Sequence, residues 1–127
     1  MFQLGAATKI YLAAGVTDMR KSFDTLCGVV RSWQEDTRSA QAAEAIDPLS
    51  GHFFVFCNRR RDRIKILYFD GSGLWVCAKR LERGCFSWPP SEEGIQSFVL
   101  SQQELALLLG GVDLSRTRKR RWWRKES

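Results

Sequence analysis

Between positions 52 and 88, four runs rich in β-branched and aromatic residues alternate with short clusters containing Gly, Asn or Asp, and this alternation constrains the fold more than any other feature. The runs cover residues 52–57, 63–69, 74–81 and 85–88, joined by 58–62, 70–73 and 82–84. β-branched and aromatic side chains suit a pleated, half-buried surface, and the intervening residues supply the backbone angles of tight turns. The pattern predicts an antiparallel β-meander, with residues 95–100 as a candidate fifth strand. Residues 8–13 read as a separate first strand, ended by Ala14-Gly15.

Two helices are expected around this sheet. Thr17 or Asp18 can cap the first, along which Phe23, Leu26, Cys27, Val30 and Trp33 or Gln34 recur at helical spacing. Beyond it, residues 35–45 are either an exposed extension of the helix or an insertion, and Pro48 and Gly51 then make a turn. Ser101-Gln102-Gln103-Glu104 is a capping box that opens the leucine run ending at Leu109, and Gly110-Gly111 supplies the stop. The fold class expected is α+β: a meander of four to five strands packed against one long helix, with a short C-terminal helix and a basic tail. Residues 1–114 form the domain and 115–127 the tail.

At 127 residues and 44% hydrophobic content, such a chain can bury a core of its own. No apolar run approaches the roughly 18 to 20 residues that span a bilayer, and the start lacks a basic segment followed by an apolar one. A cytoplasmic protein without a membrane partner is expected. Cys27, Cys57, Cys77 and Cys85 form no C-x-x-C pair and His52 is the single histidine, so no metal site is expected and buried free thiols are the ordinary reading.

Charge is distributed unevenly. Residues 1–114 hold 13 basic and 13 acidic side chains, so the net +6 belongs to residues 115–127. Within the neutral body, residues 59–83 sum to +5 and residues 84–114 to −4. If the loop between the second and third runs has an even number of residues, Phe69 faces Leu74, Leu67 faces Val76, Lys65 faces Ala78 and Arg63 faces Arg80. Opposed like charges destabilise a sheet pair, which suggests a compensating anion. Arg59, Arg60 and Arg61 leave the adjoining loop at that end, as does Arg83, so seven cations would converge there. A phosphate backbone is the obvious polyanion. The alternatives are internal neutralisation by Asp62, Glu82 and the acidic 84–114 segment, or a solvated edge.

The tail repeats the theme with Arg116, Arg118, Lys119, Arg120, Arg121, Arg124 and Lys125 around Trp122-Trp123. Exposed indoles stack on unpaired bases or wedge into a groove. Nucleic acid is the favoured reading; the alternatives are indoles folded back on the sheet, or a tail adhering to an acidic protein or, least favoured, a membrane. Catalysis has little support: His52 sits at a strand start, and Asp18, Asp62 and Asp70 sit where Asp ordinarily caps or turns the chain. No phosphate-binding Gly loop, Ser-His-Asp pattern or H-E-x-x-H segment occurs.

Three blocks, residues 13–26 (AAGVTDMRKSFDTL), 47–89 (with R-R-x-D-R-I-K, D-G-x-G-L and A-K-R-L-E-R-G) and 100–114 (LSQQELALLLGGVDL), resemble the TnpB accessory proteins of the sixty-six family of bacterial insertion sequences. The resemblance implies a small protein needed for transposition beside a separate, larger transposase that carries the catalytic carboxylates. It implies no catalytic residues and no cofactor here. Its shared basic positions are Arg20, Lys21, Arg60, Arg63, Lys65, Lys79, Arg80 and Arg83. Residues 31–46 are longer than the family pattern, and 122–127 have no counterpart in it. The expected partners are DNA at the element ends and the transposase, with no small-molecule substrate. The alternative is an adaptor of the transposase complex that does not touch DNA.

Overall fold

The computed structural model describes residues 7–35, 46–90, 92–110 and 124–125. Strand β1 (Ile10–Ala13), helix α1 (Phe23–Glu35), strands β2 (Phe53–Cys57), β3 (Arg63–Phe69), β4 (Leu74–Arg80) and β5 (Ser97–Leu100), helix α2 (Gln102–Leu109) and the two-residue strand β6 (Arg124–Lys125) follow in that order. They build an α+β fold around one sheet of order β4-β3-β2-β1-β5-β6.

Only β2, β3 and β4 form the expected meander. β1 lies between β2 and β5, antiparallel to β5 but parallel to β2, with Ile10 beside Phe53. Parallel neighbours need a crossover connection, and α1 lies within it. The physical reason is in the strands themselves: β1 (IYLA) and β2 (FFVFC) are buried at every position. With no polar residue to offer solvent, each must be covered on both faces, which is the habit of interior strands in layered folds.

Both faces are accordingly covered. On one, Tyr11, Ala13, Phe54, Phe56 and Leu67 meet Leu26, Cys27, Val30 and Trp33 of α1. Tyr11 and Phe54 stack there with centroids 5.4 Å apart. On the other, Ile10, Leu12, Phe53, Val55, Ile64 and Phe98 meet Leu105 and Leu108 of α2 together with Phe86 and Trp88.

Several expectations require correction. Residues 85–88 are not a strand: Phe86 and Trp88 are buried as plugs on the α2 face. The Phe86 N–H donates to the Arg61 carbonyl, and the Trp88 indole donates to the Ala13 carbonyl at 3.0 Å. Pro89 and Pro90, which follow at once, have no N–H to give a ladder. Helix α1 has 13 residues, about 20 Å, and is not long; Phe23 at its start is 46% exposed and falls outside the buried stripe. Neither Thr17 nor Asp18 caps it. The Thr17 N–H is drawn to the Cys57 carbonyl at the end of β2 and Asp18 to Arg20, so the helix begins only after Ser22, whose carbonyl accepts the Leu26 N–H.

The capping box of α2 is present as expected. The Glu104 N–H donates to the Ser101 hydroxyl at 3.0 Å, and the Ser101 N–H to the Glu104 carboxylate at 2.7 Å. Gly110 caps the other end in a right-handed conformation, φ −76°. Cys27 and Cys57 are buried free thiols, Cys77 is half-buried and Cys85 exposed. Burial pushes the Cys57 thiol up to about 11. Among the described residues no helix is long and apolar enough to cross a membrane. The expectations for residues 36–45 and for Arg116 to Trp123 lie outside the described residues.

The two kinds of stabilisation differ in size. Replacing Ser101 with Ala removes one reciprocal cap and should cost about 1 kcal/mol, whereas Phe54→Ala, which empties a fully buried site between α1 and the sheet, should cost about 3–5 kcal/mol. Urea unfolding followed by circular dichroism ranks the two; equal losses would mean that α1 does not seal that face.

Candidate functional site

The β3–β4 hairpin positions most of the charged residues, and its tip sets their register. One Asp70 carboxylate oxygen accepts the N–H groups of Ser72 and Gly73, each at 2.9 Å, and the Ser72 hydroxyl at 3.1 Å. The other accepts the Trp75 indole N–H at 2.8 Å. These bonds hold the Asp70 carboxyl well below the ordinary carboxylate range, the indole contributing most. The connection has four residues, an even number, so Phe69 pairs with Leu74, Lys65 with Ala78 and Arg63 with Arg80. The conditional register read from the sequence therefore holds.

At the opposite end, residues 58–63 and 80–86 are stitched together. Asn58 organises the first stretch: its side-chain oxygen accepts the N–H groups of Asp62 and Arg63, both at 3.1 Å, and its amide donates to Asp62 at 2.8 Å. The Leu81 N–H reaches the Asp62 carbonyl at 2.8 Å. Arg61 stands at φ +63°, a left-handed conformation that is costly for any residue with a Cβ. Its guanidinium donates to the Gly15 carbonyl at 3.1 Å and lies over the Trp88 ring, 5.7 Å from the centroid. The sequence predicts that the 58–62 turn takes its unusual backbone angles at Asn or Asp; the left-handed residue is Arg61 instead, and Asn58 acts through its side chain.

The seven expected cations thus divide. Arg61 is turned inward. The Lys65 ammonium donates to the carbonyls of Met19 at 2.8 Å and Lys21 at 2.7 Å, which fastens the segment before α1 to β3. Arg80 makes a long, exposed pair with Glu82 at 3.4 Å. Arg59, Arg60, Arg63 and Arg83 are exposed and have no carboxylate partner among the described residues. Lys79, expected beside these seven as one of the shared basic positions, stands apart from them. Its pairing with Ile64 puts it on the face opposite Arg63 and Arg80, where its ammonium donates to the Leu109 carbonyl at 2.5 Å and closes the C-terminus of α2. A shallow groove of about 390 Å³ runs beside the arginine pair, lined by Met19, Arg63, Lys65, Ala78, Arg80 and Glu82. Of the tail, Arg124 and Lys125 form β6 beside Val99 and Phe98; Arg116, Arg118, Lys119, Arg120, Arg121, Trp122 and Trp123 lie outside the described residues.

A family model described as IS66 Orf2 like protein matches residues 8–119. The chain belongs to that family. It is therefore an insertion-sequence-associated protein, and all three sequence blocks that carried the resemblance fall inside the match. Two uncharacterised proteins of Sinorhizobium fredii are similar to most of this IS66 Orf2-like chain. Protein y4hO is 34% identical over 113 residues, covering 89% of this chain and 88% of its own. Protein y4jC is 33% identical over 112 residues, covering 88% and 86%. No solved structure matches.

His52 and the three aspartates singled out from the sequence are engaged in local structure in this family member. His52 Nδ1 accepts the Lys9 N–H at 3.0 Å, and its ring meets Tyr11 edge-on. Asp18, Asp62 and Asp70 serve three separate turns, and among the described residues no group of three or more His, Cys, Asp or Glu is placed to hold a metal ion.

Arg20, one of the shared basic positions, is held by Asp18 at 2.7 Å, and that guanidinium lowers the Asp18 carboxyl from 3.8 to about 2. A carboxyl lowered in the folded state adds stability above its unfolded value, and that contribution disappears as pH falls through the folded one. Denaturant midpoints should therefore decline from pH 3.8 towards 2, and Asp18→Asn should flatten part of the decline. An unchanged acid profile in that variant would show the pair to be inert.

Proposed function

We propose that this chain is a non-catalytic accessory protein of transposition, working in the cytoplasm, that grips the DNA backbone of its element through Arg59, Arg60, Arg63, Arg80 and Arg83 while meeting the element's transposase. The single observation that supports it best is the set of exposed guanidinium groups at one end of the β3–β4 hairpin, of which Arg59, Arg60, Arg63 and Arg83 have no carboxylate partner among the described residues and Arg80 only a long pair with Glu82, around an arginine pair that faces itself across two strands. Such an arrangement is destabilising by itself and favourable beside an anion.

Guanidinium groups bind phosphate oxygens in a bidentate fork, and each neutralised phosphate releases condensed counterions. No base-reading helix is part of the proposal, so contact would be positional and weakly dependent on sequence. The basic tail from Arg116 to Arg124, with Trp122 and Trp123, is proposed as a second grip. Lys65, Lys79 and Arg61 are left out, because their side chains already bind backbone carbonyls.

Retardation of element-end DNA by the full chain at several salt concentrations tests this reading. Arg63→Gln should lower the slope of log affinity against log salt by about 1, and combined Gln substitution at the five arginines should lower it by about 4 to 5. Binding by the fivefold variant indistinguishable from the parent would overturn the assignment. If the parent fails to retard DNA at low salt yet captures the transposase, the chain is an adaptor and these arginines meet protein carboxylates.

A further inference from the structure

Strand β4 ends the sheet, and among the described residues β3 is its only strand neighbour. The bonds at the two ends of their ladder, Asp70 N–H to the Gly73 carbonyl and Leu81 N–H to the Asp62 carbonyl, fix the alternation between them. In an antiparallel pair, every second residue turns its backbone groups towards the partner. Trp75, Cys77 and Lys79 therefore face β3, and Leu74, Val76, Ala78 and Arg80 direct both N–H and C=O to the open edge.

Edges of this kind are normally blunted by a proline, a bulge or a charge held over the strand. β4 contains no proline, its register runs unbroken from Arg63–Arg80 to Phe69–Leu74, and the Lys79 ammonium is tied down on the Leu109 carbonyl. Trp75 is left 49% exposed beside this edge.

We propose that a second copy of this chain docks there, β4 against β4 in antiparallel fashion about a two-fold axis at Cys77. That register matches Leu74 with Arg80 and Val76 with Ala78 of the second copy, and by symmetry the reverse, so every outward backbone group finds a partner. Centring the axis on Val76 or Ala78 instead leaves one of the four outward residues unmatched. The charges also agree. Each Lys79 falls opposite the second copy's Trp75, so its aliphatic stem covers the indole while its ammonium stays on the Leu109 carbonyl, and no like charges are opposed. The two lysines stand four residues apart along the ribbon, roughly 13 Å, beyond the screening length of about 8 Å at physiological salt. The half-exposed indoles become covered. This pairing does not depend on DNA binding.

Sedimentation velocity of the full chain without DNA, over a dilution series, is expected to show a dimer that dissociates on dilution. Ala78→Pro removes an outward N–H without touching the ladder to β3, and it should weaken the dimer at least about tenfold. A monomer at every concentration overturns the proposal, as does an unweakened dimer of folded Ala78→Pro. Should that variant fail to fold, cross-linking decides. The paired Cys77 residues would have Cα atoms about 4.5 Å apart, within disulfide reach. With the exposed thiol removed by Cys85→Ser, diamide should oxidise the two Cys77 thiols to a disulfide, itself taking up both protons and electrons. The resulting covalent dimer should be absent when Cys77→Ser is added; no covalent dimer, or one that survives Cys77→Ser, overturns the pairing.

Discussion

The Asp70 carboxylate governs where the charges of this molecule go. With two backbone N–H groups, a hydroxyl and an indole on its oxygens, it closes a four-residue connection and so fixes which residue of β3 stands beside which of β4. A slip of one residue would exchange the two faces of β4 relative to β3. Arg80 would leave Arg63, Val76 would leave the α1 core, and Lys79 would lose the end of α2. The tip lies far from the arginines, yet their meeting is a consequence of it.

How a cation is used depends on what the neighbouring backbone leaves unsatisfied. Carbonyls at Gly15, Met19, Lys21 and Leu109 lie at chain turns or a helix end, where no ladder or helical bond takes them up, and Arg61, Lys65 and Lys79 answer them. These three side chains serve as struts between elements that share little apolar surface. Arg59, Arg60, Arg63 and Arg83 are exposed and have no carboxylate partner among the described residues, and Arg80 has only its long, exposed pair with Glu82. A count of basic residues along the chain could not separate the two groups, because the separation is made by acceptors that come from segments some 30 to 46 residues away.

What could be read in advance followed from local rules. Alternating runs, an even connection and the S-x-x-E box each act within a few residues, and β3, β4 and α2 came out close to expectation for that reason. The place of β1 could not be read so directly, since its neighbours are set by pairing with strands more than 40 and more than 80 residues on; the clue was that neither β1 nor β2 has a polar side. Residues 85–88 have strand-like composition but bury Phe86 and Trp88 as a plug, and Thr17 and Asp18 look like caps but are claimed by Cys57 and Arg20. For Phe86, Trp88 and Thr17 a tertiary partner prevailed over a local preference, and for Asp18 a competing local one did.

The interior position of β1 has a temporal side. Its two neighbours are synthesised well after it, so a nascent polypeptide carries Ile10 to Ala13 unpaired until Phe53–Cys57 emerges, and open on the other side until Ser97–Leu100 has left the ribosome. Sheets closed by such distant pairings assemble slowly. During elongation the β2–β4 hairpins must persist as a partly covered unit, and a message cut short before β5 would yield a fragment with its central strand open on one side.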